Sequence, residues 1–234
     1  PDPAWPEVYK KMKVLSVLML FILCGVHVNA QQEARVIAEI AAGNPVVVLQ
    51  NLGLPWAPSW HYAVAVGYDV EAGSILLRSG PMKRQELSLR TFMHTWNRSN
   101  RWAFVVTQPD RLPATASEAE TVRALVAFER NAPASASARA YRTGLARWPH
   151  QPTLAMGLGN VLYASGDKDG AETVFRQVAE KHQLAAAYNN LARLLLERGK
   201  TADARIAAER GLTVAGPLRE ALLETRRALG GTVS

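Results

Sequence analysis

One histidine in the chain has the setting of a catalytic base. His61 follows a loop that contains proline and glycine, Leu52–Ser59, and it comes just before an apolar stretch that is predicted to be a β-strand, Tyr62–Val66. At such a place an imidazole is reachable from solvent yet held in position, which suits a group that accepts and returns a proton near neutral pH. The alternative is a histidine that only caps the strand by hydrogen bonding. His61 is therefore a candidate general base.

The chain offers one thiol as a nucleophile for such a base. Cys24 is the only cysteine among 234 residues, which excludes an intramolecular disulfide and every metal site built on several cysteines. Its neighbours are apolar, Phe21–Leu23 before it and Val26–Val28 shortly after it. A reactive thiolate needs a polar or electropositive, partly exposed setting, so Cys24 is a poor nucleophile on this evidence. A nearby carboxylate, Asp69, falls in a predicted hairpin turn and is not expected to reach the histidine.

Two tryptophans flank the candidate base and have two interpretations. Trp56 and Trp60 could line a groove for a peptide substrate, or they could pin the loop to the core. Both interpretations stay open at this point.

No metal or cofactor site is predicted. His94, His150 and His182 lack the spacing to another histidine or carboxylate that a metal site needs. The run Asp167–Gly170 is similar to the start of a calcium loop, but Val178 stands where the loop requires glutamate, so this run is predicted to be a turn between helices. A phosphate-binding glycine-rich loop is also missing from the sequence.

Composition places the chain among globular proteins with a basic surface. Hydrophobic residues make up 48% and charged residues 20%, a balance that argues against disorder over most of the length. The formal net charge of +7 comes mainly from arginines scattered among acidic residues. Because the cations do not form blocks, we expect a solvated surface and no nucleic-acid partner. The sequence does not indicate an oligomeric state.

The histidine lies in a region that mixes short strands with two helices, residues 31–110. Its strand signals are short apolar runs rich in β-branched residues, and its helix signals are apolar residues at helical spacing. These patterns predict an antiparallel β core with helices packed on it. The predicted strands are Pro45–Leu49, Tyr62–Val66, Ser74–Leu77 and Trp102–Thr107, and the predicted helices are Gln32–Ala42 and Arg90–Trp96.

Residues 118–234 change in composition and show an internal repeat. After a predicted linker, residues 111–117, amphipathic helical segments alternate with short turns. The pairs Gly166-Asp167 and Gly199-Lys200 stand at equivalent positions of successive segments. With Leu158-Gly159, Ala171 and Phe175, these positions resemble the tetratricopeptide repeat, in which small residues let paired helices approach closely. Any array of helical hairpins is the alternative.

One surface of these repeats carries amides and a guanidinium. Asn189, Asn190 and Arg193 are compatible with the recognition of acidic peptides or peptide termini. Residues 217–229 are predicted to form a capping helix.

Residues 1–30 have the layout of a secretory signal. Lys11 and Lys13 precede an apolar core, Val14–Leu23, and Val28-Asn29-Ala30 then has small or medium residues at the two positions that a signal peptidase recognises. About ten apolar residues are too few to span a bilayer unaided. We therefore expect export to the periplasm or cell envelope from a start at Met12, with membrane association if the segment is retained. A buried core helix and a chain that lacks its true N-terminus are the alternatives.

An ordered set of segments resembles the peptidase C39-like family of papain-fold cysteine peptidases. The set covers about residues 33–108, and with the repeats it is similar to bacterial C39-like proteins that carry C-terminal tetratricopeptide repeats. The resemblance implies an α+β fold, the antiparallel β half of a papain-like domain, followed by an all-α repeat domain. The segments are Gly43–Val48, His61–Tyr68, Ile75–Gly80, Leu87–Phe92 and Trp96.

The resemblance also implies a mechanism. Members of the family use a cysteine thiolate, a histidine that takes its proton, and an Asp or Asn that orients the histidine. His61 falls on the histidine, and Ser79 stands where many members have the orienting Asp. The expected nucleophile segment, Gln-x-x-x-Cys, has no counterpart, so the half of the domain that carries it is expected to be absent.

Two functions from different classes follow. The first is a cysteine peptidase of this family, truncated or inactive here, that acts on a peptide or protein and binds a partner through its repeats. The second is a non-enzymatic exported adaptor whose peptidase domain is vestigial. A structural protein of the cell envelope, held by an uncleaved N-terminus, is a third hypothesis.

Overall fold

A computed structural model describes residues 19–22 and 29–230. The chain divides into two compact units, the first ending at Ala132 and the second beginning at Pro133. The first unit is α+β and the second is all-α. The predicted fold class is therefore confirmed.

The first unit is built on a six-stranded antiparallel sheet with the strand order β1-β6-β2-β3-β4-β5. Its strands are β1 (Met19–Ile22), β2 (Val46–Asn51), β3 (Trp60–Asp69), β4 (Ser74–Ser79), β5 (Met82–Ser88) and β6 (Ala103–Thr107).

Two helices cover one face of this sheet. They are α1 (Asn29–Ala41) and α2 (Leu89–Asn97). Successive strand residues point to opposite faces, so alternate positions on neighbouring strands form a single buried layer. Trp96 of α2 is fully buried on this layer. The other core residues are Val36, Ile40, Phe92, Val46, Val48, Ala63, Ala65, Ile75, Leu77, Ala103 and Val105.

Two of the six strands were not predicted. Strand β5 has the polar sequence Met-Lys-Arg-Gln-Glu-Leu-Ser. It lies at the edge of the sheet, where its backbone pairs with β4 on one side only. Gly80, with φ of +55°, makes the tight connection from β4. Strand β1 falls inside the predicted signal segment and pairs with β6, with Met19 opposite Thr107. Met12 and Cys24 lie outside the described residues.

A buried carboxylate fixes the segment that was predicted to be a linker. Glu39 of α1 is fully buried. It accepts hydrogen bonds from Asn44 Nδ2 at 2.6 Å, from the backbone of Thr115 at 2.6 Å and from the backbone of Ala114 at 3.1 Å. The backbone that leads into α3 (Glu118–Glu129) is therefore attached to α1 rather than free.

The second unit is a run of antiparallel helical pairs. Gly166 and Gly199, at φ of +87° and +72°, occupy equivalent turns of successive pairs, as the repeat predicts. The helices are α4 (Ala134–Arg147), α5 (Pro152–Ala164), α6 (Lys168–His182), α7 (Ala185–Glu197), α8 (Thr201–Thr213) and α9 (Arg219–Gly230), with a 3₁₀ turn at Gly216–Leu218.

Close approach of paired helices requires small residues. A Cβ on Gly159 would lie 2.5 Å from the Phe175 ring, which is well inside van der Waals contact. Ala171 is also fully buried. These three residues carry the repeat pattern, and their packing accounts for it.

Within the part of the chain that the structure describes, every helix is too short or too polar to cross a bilayer.

Candidate functional site

The candidate base and Ser79 are in contact. His61 is the second residue of β3, and Ser79 is the last residue of the neighbouring strand β4. The Nε2 atom of His61 lies 2.7 Å from the Ser79 hydroxyl oxygen. Ser79 is buried and His61 is half-buried. The β3–β4 pairing, which contains an irregularity between Ala65 and Gly67, brings the two side chains together from 18 positions apart.

This contact distinguishes the two ring nitrogens. When Nε2–H donates to Ser79, Nδ1 carries the lone pair that can accept a proton. No described residue makes a hydrogen bond to Nδ1. Ser79 therefore engages Nε2, and Nδ1 is left to accept a proton.

A second polar pair lies at the same end of the sheet and was not predicted. Gln50 is directly opposite His61 in the β2–β3 register. It is buried, and its Nε2 donates to Thr95 Oγ1 of α2 at 2.6 Å. Gln50 continues the buried alternation of Val46 and Val48, so its burial could have been inferred from the sequence.

The loop before the histidine is shaped by an asparagine. Asn51 Oδ1 accepts hydrogen bonds from the backbone of Gly53 and of Ser59, each at 2.9 Å. Asn51 is buried, whereas the loop between these residues is exposed. The hydrogen bonds hold the two ends of the loop together just before β3 begins.

The two tryptophans, Trp56 and Trp60, do not form a groove with His61. Trp60 is adjacent to His61 in β3, so its side chain lies on the opposite face of the sheet. Further along the chain, Tyr62 contacts Trp102 edge-to-face at 5.7 Å between ring centroids, and Trp102 contacts Phe104 at 5.1 Å. Trp56 is 79% exposed in the loop, so the structure does not show it packed against the core.

The carboxylate of Asp69 stabilises the β3–β4 turn and does not contact the histidine. Asp69 Oδ1 accepts a hydrogen bond from the backbone of Ala72 at 2.9 Å. Eight residues of extended strand separate it from His61, which corresponds to about 26 Å. This outcome agrees with the sequence-based expectation.

The remaining candidate residues have structural surroundings. No group of three metal-ligating side chains occurs among residues 19–22 and 29–230. Asp167 caps α6 by accepting from the backbone of Gly170 at 2.9 Å, so the calcium-like run, predicted to be a turn between helices, is the N-cap and first turn of α6. His150 Nδ1 contacts Lys181 Nζ at 2.5 Å, His182 ends α6, and His94 lies on the exposed side of α2.

Two family models match separate parts of the chain. The Peptidase_C39 like family matches residues 19–104, and the tetratricopeptide repeat matches residues 121–186 and 158–220. This order is the one that the sequence resemblance implied. Repeats of this kind indicate a region for protein interaction. No curated protein matches the chain.

Several solved structures are similar to about half of the chain. The tetratricopeptide domain of Sgt2 from Aspergillus fumigatus is 16% identical, with a TM-score of 0.45, over 50% of this chain and 78% of that one. A crystal structure of MamA is 11% identical, with a TM-score of 0.39, over 48% and 76%. A mutant of O-GlcNAc transferase from Thermobaculum terrenum is 22% identical, with a TM-score of 0.39, over 49% and 26%.

Proposed function

We propose that this chain, whose residues 19–104 match the Peptidase_C39 like family and whose residues 121–220 match tetratricopeptide repeats, acts on a peptide or protein. In this proposal His61 is the base of a cysteine-peptidase-type site, Ser79 positions it, and the repeats bind a protein partner. The observation that carries the proposal is the 2.7 Å contact between His61 Nε2 and Ser79 Oγ, which leaves Nδ1 available.

The chemistry requires a thiol at Nδ1. The imidazole would take the thiol proton, and the thiolate would attack the peptide carbonyl carbon. The peptide C–N bond then breaks, and the imidazolium returns its proton to the departing amine. Water hydrolyses the resulting thioester. Ser79 would fix the ring orientation, but its neutral hydroxyl adds no negative charge opposite the imidazolium.

A substrate-free experiment tests the pairing of base and thiol. We would measure the rate of iodoacetamide alkylation of Cys24 between pH 5 and 9 in the full chain. Pairing with His61 predicts fast alkylation near pH 6, where an ordinary thiol with a pKa of about 8.5 reacts slowly. The His61→Ala variant should lose the fast reaction, whereas His94→Ala, which removes an exposed histidine on α2, should retain it.

The opposite outcome favours the second candidate function. An ordinary thiol profile, unchanged by His61→Ala, would contradict a site formed by Cys24 and His61. The protein would then be better described as a non-enzymatic adaptor that binds its partner through the repeats. The sequence feature that favours this candidate is the apolar setting of Cys24, which does not suit a reactive thiolate. Export of such an adaptor to the cell envelope rests on the signal-like pattern of residues 12–30.

A further inference from the structure

An exposed loop of apolar residues connects β2 to β3. This apolar loop, residues 52–59, has the sequence Leu-Gly-Leu-Pro-Trp-Ala-Pro-Ser. Apart from the half-buried Gly53, each of its residues is exposed, with Leu52 at 52%, Leu54 at 49% and Trp56 at 79%. Folded proteins rarely expose several large apolar side chains together, so the apolar loop marks an interaction surface.

The apolar surface continues from the loop onto the face of the sheet that α1 and α2 leave open. Trp60 and Tyr62 are both more than half exposed and lie on this face of β3. Tyr62 is opposite Leu49 of β2 and contacts Trp102 edge-to-face. Exposed aromatic rings therefore occupy both the loop and the beginning of the strand that follows it.

The backbone of the apolar loop is almost fully paired within the loop and with its base. Leu54 and Ala57 exchange two hydrogen bonds of 3.1 Å, and Leu52 donates to the Ser59 carbonyl at 2.8 Å. The buried Asn51 side chain accepts from two further N–H groups of the loop. These hydrogen bonds fix the loop before it meets any partner, which lowers the entropic cost of binding.

Two prolines reduce further the number of donors that need water. Pro55 and Pro58 have no backbone N–H. The remaining backbone donor of the loop is the N–H of Trp56 at its tip, which has no acceptor among the described residues. A loop that stays in water does not need this pairing, because water accepts from every exposed N–H. Away from water an unpaired N–H carries a large free-energy cost, so the pairing suits a loop that enters lipid.

A cation lies at the base of the apolar loop, and acidic residues are distant in sequence. Arg98, at the C-terminal end of α2, is exposed and donates through Nη1 to the Gly53 carbonyl oxygen. The other N–H groups of its guanidinium can bind the phosphate of a lipid. Between Glu39 and Asp69 the sequence contains no Asp, Glu, Lys or Arg, so no carboxylate within this segment repels an anionic headgroup.

We propose that the apolar loop inserts into the interface of a lipid bilayer, with Trp56 in the apolar region and Arg98 at the lipid phosphates. Tryptophan and tyrosine are enriched at this interface because their rings combine an apolar body with a polar N–H or O–H. Gly53 and Trp56 are three residues apart, which limits the depth of insertion to about 10 Å. Interfacial segments are buried to about 5–10 Å. The proposal does not depend on the chemistry proposed for His61.

A bilayer fits the apolar loop better than a protein partner or a second copy of the chain. Protein interfaces carry about one hydrogen bond per 100–200 Å². The loop has used nearly all of its backbone donors internally. Its side chains are apolar apart from the Ser59 hydroxyl and the indole N–H of Trp56. A lipid interface requires few hydrogen bonds, so the composition and the pairing of the loop both match it.

Co-sedimentation of the full chain with lipid vesicles tests the proposal. The vesicles are phosphatidylcholine alone and phosphatidylcholine mixed with phosphatidylglycerol. Trp56→Ser should weaken binding to both kinds by about tenfold or more, because the indole no longer enters the apolar region. Val70→Ser is the matched control, since Val70 is 76% exposed in the turn at the other end of β3, and it should bind as the wild type does. Binding should be stronger with phosphatidylglycerol and should weaken with added salt.

Each of the other outcomes would overturn the proposal. Binding restricted to phosphatidylglycerol vesicles and unchanged by Trp56→Ser would assign it to the net positive charge of the protein. Binding to both kinds that is unchanged by Trp56→Ser would assign it to another apolar segment, such as residues 14–23.

Absence of wild-type binding to either kind of vesicle would exclude lipid as the occupant. Sedimentation equilibrium without lipid would then show whether a dimer that Trp56→Ser dissociates makes a second copy the occupant. Leu54→Ser, in the same turn, is a second variant that should reproduce the loss of vesicle binding, and circular dichroism verifies that each variant is folded.

Discussion

The two nitrogens of His61 have different surroundings, and this difference carries the proposed chemistry. Nε2 contacts the Ser79 hydroxyl, whereas Nδ1 has no hydrogen-bond partner among the residues that the structure describes. A hydroxyl and a carboxylate can both accept from a ring N–H, but only the carboxylate adds a charge. The serine therefore orients the ring without adding an electrostatic contribution.

Replacing Ser79 by alanine should change the tautomer of this ring. The proposed chemistry requires Ser79 to accept from Nε2–H, so we expect the wild-type ring to be protonated mainly at Nε2 and Ser79→Ala to give a mixture of tautomers. The ¹⁵N chemical shifts of the imidazole nitrogens measure this directly. The His94 ring in the same spectra is an internal control and should not change. If the His61 shifts also stay constant, the contact does not set the tautomer.

Sequence reasoning reached some residues of this site and not others. His61 and Ser79 were found through the order of segments that resembles the C39-like family, and their catalytic roles stay a prediction. The Gln50–Thr95 pair was missed because it joins a strand to a helix 45 positions away. Such a pair depends on the packing of α2 on the sheet, which local sequence patterns do not specify.

At the scale of helices, glycine controls how closely the repeat pairs can pack. Gly159 faces Phe175 so closely that an added Cβ would overlap the ring. Phe175 is buried and cannot move aside without displacing its neighbours. The separation of α5 and α6 thus depends on the absence of one methyl group.

Gly159→Ala should destabilise the repeat unit although alanine favours helices. Helix propensity alone would stabilise the variant by about 1 kcal/mol. Overpacking costs about 1–3 kcal/mol, so we expect a net loss of about 1 kcal/mol in the free energy of unfolding. Urea denaturation followed by circular dichroism measures this. Gly230→Ala is the control, because nothing lies within 4 Å of its added Cβ, and it should be neutral or slightly stabilising. A Gly159→Ala variant that is as stable as this control would contradict the packing argument.

Element prediction succeeded where apolar periodicity was strong. Helix α2 was expected at Arg90–Trp96 and begins one residue earlier, after Ser88, whose hydroxyl accepts from the backbone of Thr91 at 3.2 Å. Strand β5 was missed because its residues are polar and mostly exposed. An edge strand of this kind is held by backbone hydrogen bonds to β4. Backbone hydrogen bonding does not require particular side chains, so the sequence pattern does not indicate it.

At the scale of the whole first unit, one ion pair connects residues that are 85 positions apart. Arg35 Nη2 of α1 donates to both carboxylate oxygens of Glu120, at 2.9 and 3.0 Å. Glu120 also accepts from the backbone of Ser117 at 2.8 Å and completes the capping box of α3. Burial raises the pKa of Glu120, but the hydrogen bonds from Ser117 and Arg35 outweigh it and hold the pKa below 4.5.

The contribution of Glu120 to stability should therefore disappear in acid. A lowered folded-state pKa means that this stability is fully present above the unfolded value, near 4.5, and is lost as the pH falls through the folded value. Glu120→Gln should cost about 1–2 kcal/mol at pH 7 and progressively less below pH 4.5.

Thermal or urea unfolding of Glu120→Gln across this pH range provides the measurement. Glu209→Gln, which changes an exposed glutamate on α8, is the matched control and should show no comparable pH dependence. A difference between wild type and Glu120→Gln that stays constant down to pH 2 would rule out the ionised carboxylate as its source.

The strand order of the sheet constrains when each part of it can form. Strands β2 to β5 are neighbours in sequence and can pair as hairpins while synthesis continues. Strand β1 has its sheet partner in β6, the last strand of the unit to be synthesised. Until β6 leaves the ribosome, β1 lacks its native partner and β2 has one side unpaired. Strand β1 thus lacks its native pairing during most of the synthesis of this unit, and β6 then joins β1 to the sheet through β2.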